Sequence, residues 1–130
     1  MLTNLYLYGG IAMLALRLVM GLIFIVHGAP KLRNLKETGI WLGSEGFRPG
    51  IFWALMLGLL EVFGGLALII GFTTELFGLL FTVEMIIAAL WKMKKKMGLV
   101  MGYELDLALA AAAFVIATLG PGIYSVAAYL

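Results

Sequence analysis

Between Trp53 and Gly71 the chain reads WALMLGLLEVFGGLALIIG, an apolar run interrupted once, near its middle, by the carboxylate of Glu61. No other stretch limits the possible folds so sharply. At about 1.5 Å of rise per helical residue, the segment from Gly50 to Gly71 crosses a hydrocarbon core of about 30 Å and carries Glu61 to half depth. An ionised carboxylate there costs about 2.5 kcal/mol or more, so Glu61 must turn from lipid toward another helix, a cavity or a proton. Gly64 and Gly65 follow three and four residues later on the same helical face, where missing side chains let a neighbouring backbone approach. The acid and the glycines share one packing surface.

Three further stretches have the same character. The spans are placed at about Leu5 to Gly28, Gly50 to Gly71, Glu75 to Trp91 and Tyr103 to Leu119, in a sequence that is 64% hydrophobic and only 12% charged. Only short loops remain, so residues 1–130 read as one all-α domain, a bundle of four transmembrane helices. The first span has neither a basic leader nor a small-residue cleavage site and is expected to stay as a membrane helix. Cysteine is absent, which removes disulfides, thiolate metal sites and a thiol relay from this chain. A single histidine gives no basis for a metal centre.

Outside the spans, the basic residues cluster in two loops: Lys31, Arg33, Lys36 and Arg48 in the first, and Lys92, Lys94, Lys95 and Lys96 in the third. The positive-inside rule then puts loops one and three in the cytoplasm and both termini outside, in a multi-pass cell-membrane protein. These charges also attract anionic lipid, which accounts for them without nucleic acid. The first partner is therefore the bilayer itself.

Taken in order, the first span carries Arg17 at depth and His27 at its cytoplasmic end, and Pro30 is expected to end the helix. Pairing of Arg17 with a membrane acid is cheaper than leaving it alone. In loop one, residues 34–44 read as a short amphipathic helix at the interface, anchored by Trp41, with a lid over the bundle as the sharper alternative. Gly71 suits a helix C-cap and Thr73 or Thr74 the next N-cap, which makes the second and third spans antiparallel neighbours. Glu84 brings a second acid to mid-depth. Glu104 and Asp106 open the fourth span in the layer of His27 and Lys31, and Gly120, Pro121 and Gly122 close it.

Several local patterns now stand in order: an arginine in the first span, His27-Gly28 followed by Lys31, TGIWLGSEGF, Glu61 followed by Gly64-Gly65, IIGFTTE, and Tyr103-Glu104 with GPGIYS. Their order and spacing resemble the DoxX/DoxD family of small four-helix membrane proteins over nearly the whole chain. The resemblance implies a left-handed four-helix bundle. It also implies a role like that of relatives that serve as the membrane subunit of thiosulfate:quinone oxidoreductases, whereas distant relatives act in membrane-protein assembly. The family's recurrent polar places match Arg17, His27, Lys31, Glu61 and Glu104; Glu84 and Asp106 are additions.

Two candidate sites follow. Arg17, Glu61 and Glu84 form the intramembrane group, and His27, Lys31, Glu104 and Asp106 a polar layer toward the cytoplasm. With one base against two acids at mid-depth, one carboxyl is expected to hold a proton. The intramembrane group either lines a cavity for a small polar or quinone-like ligand or forms an ion pair that sets helix register. His27 is expected to make a helix-terminal hydrogen bond or to pair with Glu104, ahead of a catalytic role, and Lys31 to be a lipid-facing or topogenic charge, with a substrate-facing role as the alternative. Three functions stay open. The first is a membrane subunit of a quinone-linked, sulfur-compound oxidoreductase system, with quinone as its one non-covalent cofactor. The second is a binding or assembly module, working with a partner subunit or as a homo-oligomer. The third is a proton or small-solute pathway.

Overall fold

The computed structural model describes residues 2–130 and is helical throughout its ordered elements. These are α1 (Gly9–Arg33), α2 (Leu35–Ser44), α3 (Gly50–Ile70), α4 (Thr74–Lys94) and α5 (Glu104–Leu119). A 3-10 helix at Leu2–Tyr8 and a single 3-10 turn at Val126–Tyr129 flank them. Among the described residues, four helical stretches, Thr3–Arg33, Gly50–Ile70, Thr74–Lys94 and Leu99–Leu119, are long and apolar enough to cross a membrane. Their burial inverts that of a soluble domain: Leu22, Phe63, Leu66 and Leu79 face outward, while Arg17 and Glu61 are inside. That is the arrangement expected where the surroundings are hydrocarbon.

Glycine decides which helices touch. A Cβ added to Gly21 would lie 2.5 Å from the Gly65 carbonyl oxygen, and one added to Gly65 would lie 2.6 Å from that of Gly21. One heptad further along α1, a Cβ on Gly28 would lie 3.1 Å from the Gly58 carbonyl. As numbers rise on α1 they fall on α3, so the two helices run antiparallel in backbone contact. Gly39 meets Gly50 and Ile51 in the same way and seats α2 on the start of α3. Gly78 admits the backbone of Ala113 and Ala117 and so joins α4 to α5.

The bundle is thus two tightly packed groups, α1–α2–α3 and α4–α5, which meet along a looser seam. Stacked rings of Phe24 and Phe81, 3.7 Å between centroids and 9° from parallel, fill the middle of that seam. Met20, Leu68, Met85, Leu109 and Ile116 complete the core around them.

Two boundaries differ from the sequence reading. Pro30 does not end α1, which continues to Arg33. Proline has no N–H for the carbonyl four residues back; in a packed membrane bundle neighbouring groups make that loss tolerable. The third span runs past Trp91 to Lys94, because Lys92 and Lys94 favour the negative end of a helix dipole. It closes where Lys96 turns to φ 62 and donates to Met93 O while Met97 donates to Lys92 O. Gly71 caps α3 in left-handed geometry as its sequence position suggests, with its N–H on Ala67 O at 2.9 Å. Thr73 stands at the N-cap of α4, as its sequence position suggests, but its side chain makes no capping hydrogen bond. The interfacial segment of loop one is a helix, α2, with Leu42 buried and Trp41 half exposed.

Candidate functional site

Glu61 lies on the face of α3 turned toward α1 and is 3% exposed. Space for it exists because Gly28 has no side chain: a Cβ there would come within 2.6 Å of Glu61 Cβ. One turn beyond Gly28, past Pro30, α1 presents Lys31. Helical side chains lean toward the N-terminus of their own helix, which here points the Lys31 stem back into the bundle. Lys31 Nζ donates to Glu61 Oε2 at 2.7 Å and Oε1 at 3.0 Å, and also approaches the His27 carbonyl at 3.4 Å. Its three donors are thereby occupied. Across the seam, Glu84 lies near enough to Glu61 for the two carboxyls to act on each other. Glu84 Oε2 is buried without a partner among the described residues. One ammonium thus faces two carboxyls inside the bundle, and the 25% exposure of the Lys31 side chain connects them to the basic end.

Arg17 is not part of this group. It is fully buried near the opposite end, where one guanidinium nitrogen donates to Leu68 O at 3.1 Å and Ile69 O at 3.3 Å, and the other donates to Tyr124 O. The arginine caps the C-terminal end of α3, whose last carbonyls are its acceptors, and holds down the tail after α5. Pairing of Arg17 with Glu61 is therefore corrected: a helix end supplies the negative potential that the sequence argument sought in an acid. The reading of Lys31 as lipid-facing is corrected with it.

The expected polar layer is not assembled either. His27 is exposed, and its Nδ1–H donates to Ile23 O of its own helix at 2.7 Å. Glu104 is exposed and accepts from the Met101 N–H at 3.1 Å, which steadies the irregular turn before α5. Asp106 is buried but pairs with Lys92 at 2.8 Å rather than with His27 or Lys31. Each group finds a partner within its own part of the bundle, because helix position fixes depth but not the direction a residue faces.

Sequence reasoning missed a clasp between the two basic loops. Glu45, just after α2, accepts from Lys95 Nζ at 2.8 Å and from Trp91 Nε1 at 3.2 Å. Trp91 meets Trp41 edge to face at 5.6 Å, and the Lys95 ammonium stands 5.9 Å from the Trp91 ring centroid. The Lys95 hydrogen bond, helped by that of Trp91, holds the Glu45 carboxyl below its ordinary range. The available signal was an acid in one basic loop opposite surplus lysines in the other. No group of three metal-ligating side chains occurs among the described residues.

The sequence model described as DoxX matches residues 12–93. A protein of Bacillus subtilis (strain 168), named "Putative oxidoreductase CatD", is 34% identical over 76 residues, covering 58% of this chain and 55% of the relative. The chain thus spans about half the length of that curated relative. No solved structure matches it.

Proposed function

The chain belongs to the DoxX family, and on that premise we propose that it is the membrane subunit of an oxidoreductase system, with Lys31, Glu61 and Glu84 as a buried site that exchanges protons toward the basic end. The observation that carries this reading is the charge count: one ammonium, paired with Glu61, stands beside a second carboxyl that has no cation of its own. Two neighbouring carboxylates held away from water cannot both stay ionised at low cost, so a proton takes the place of the missing second cation. The relative's name supports the oxidoreductase setting. With no cysteine the chain carries electrons on no thiol of its own, and the reading places the electron-carrying group on a partner subunit or a mobile carrier.

A quinone linked to oxidation of a sulfur compound is the finer form of this reading. The residues around Glu61 do not fit a quinone ring: α1 and α3 are in backbone contact at Gly28, and the Phe24–Phe81 stack fills the adjoining seam. The carrier therefore meets the system elsewhere, and no step is assigned to it beside Glu61. The basic loops are proposed to face the cytoplasm; since the chain has no cysteine, single Lys36→Cys and Tyr129→Cys variants test this with an impermeant maleimide. Labelling of the Lys36 variant in intact cells would reverse the orientation.

Infrared difference spectroscopy on the purified protein tests the proton. A protonated-carboxyl band is expected at neutral pH, lost in Glu84→Gln or Glu61→Gln, and its absence from the parent protein would sink the site. Membranes lacking the chain should lose quinone reduction driven by a sulfur compound; unchanged turnover would remove the oxidoreductase setting.

A second reading has its own observation. All three Lys31 donors are engaged, and the pair is locked behind Gly28, as suits an ion pair that sets the register of α1 on α3 within an assembly module. In that case Glu61→Gln weakens the fold or partner capture and leaves turnover of the system unchanged.

A further inference from the structure

The last two turns of α4 border a cleft of about 260 Å³ that the polar site does not use, walled by Glu45, Phe47, Ile87, Leu90, Trp91 and Lys94. Ile87, Leu90, Trp91 and Lys94 recur at three- and four-residue spacing, so they form one stripe along the helix. The cleft consequently runs from an outward-facing aliphatic wall, past an indole, to an ammonium at the helix end. That gradient matches a molecule with a hydrocarbon chain and a charged head.

The sign of that head follows from the ion pairs. Glu45 is neutralised by Lys95 at 2.8 Å and oriented by Trp91, so it offers no free negative charge. Lys92 is committed to Asp106. Lys94 makes no salt bridge or side-chain hydrogen bond among the described residues. The mouth therefore presents one uncompensated cation. The carbonyls that end α4 repel an anion, which leaves Lys94 rather than backbone as the group that holds one.

We propose that this cleft seats an anionic phospholipid of the surrounding bilayer, with its phosphate on Lys94 and an acyl chain along Ile87 and Leu90. Diffuse attraction by the basic run would treat every free lysine alike. A seat does not, and Lys96 supplies the comparison: it too is unpaired among the described residues, but it does not wall the cleft.

Native mass spectrometry of the full chain in detergent, offered phosphatidylglycerol and phosphatidylcholine in equal amounts, tests this. Preferential retention of phosphatidylglycerol is expected. Lys94→Gln should reduce it at least about fivefold, the factor set by one basic group near an anionic headgroup. Lys96→Gln, with the same change in net charge, should retain it, and Leu90→Asn should weaken retention of either lipid. Equal losses in the two lysine variants would reduce the effect to surface charge. Equal retention of phosphatidylcholine, or occupancy by some other amphiphile, would overturn the assignment.

Discussion

Glu61 and Glu84 sit in one buried cluster and have opposite relations to it. Removing the charge of Glu61 strips Lys31 of the acid it bonds directly. A fully buried ion pair broken in this way costs about 3–5 kcal/mol. The Lys31 side chain is 25% exposed and can swing out, so Glu61→Gln is expected to cost about 1–3 kcal/mol, read as a lowered thermal midpoint in detergent. Glu84→Gln replaces an oxygen that has no partner with an amide able to donate to Glu61. Its midpoint should stay level or rise, and a loss as large as that of Glu61→Gln would show that Glu84 carries a counter-charge after all. Arg17 shows a different use of a buried cation. Its planar fork reaches the end of α3 and the tail at once, which a lysine point charge cannot copy.

Among the helices, glycine does different work at different positions, and the contacts separate them. A methyl group at Gly21 would press on the Gly65 carbonyl, which belongs to a neighbouring helix backbone and cannot swing aside. Gly21→Ala should therefore destabilise by about 1–3 kcal/mol, in the range of overpacked sites. At Gly43 the nearest atom to an added Cβ is 3.9 Å away, so Gly43→Ala should be neutral or slightly stabilising, since alanine suits a helix better. Paired melting curves check the contrast; equal effects would mean that α1 and α3 do not touch as described. α1 itself shows why a proline is a weak boundary in a packed bundle. Were the helix to stop at Pro30, Lys31 would not stand one turn beyond Gly28, aimed at Glu61.

The whole molecule consists of two packed groups joined by a seam, and the ties across that seam are few. Arg17 reaches Tyr124 O near the tail, Phe24 stacks on Phe81 in the middle, Glu61 approaches Glu84 below it, and Glu45 holds Lys95 and Trp91 at the basic end. The last of these has a pH dependence whose sign follows from the lowered acidity range of Glu45. A carboxyl depressed in the folded state stabilises the fold above its ordinary value, about 4.3, and that contribution disappears as the pH falls through the lowered folded value. In a Trp41→Phe, Trp53→Phe background, Trp91 fluorescence should hold steady down to about pH 4 and change below it. Glu45→Gln should abolish the transition. A transition centred near neutral pH, or one that survives in Glu45→Gln, would detach it from this clasp.

Sequence alone determined the class of fold, because hydrocarbon leaves so few options. Four apolar runs of spanning length must be helices, a carboxylate at half depth must face inward, and glycines beside it must mark a contact. It also determined the ends of α3 and α5, where Gly71 and Gly120 adopt positive φ. What it left open is which cation answers Glu61. Arg17 and Lys31 are 14 positions apart on one helix, about 21 Å along its axis. Nothing in that spacing says which of them lies level with Glu61 on α3. Only the packed register does: Gly21 against Gly65 and Gly28 against Gly58 set Arg17 beside the last carbonyls of α3, and leave Lys31 to lean back one turn onto Glu61. Register between helices is a sum of many weak contacts between backbones brought close by glycine, and no single residue announces it.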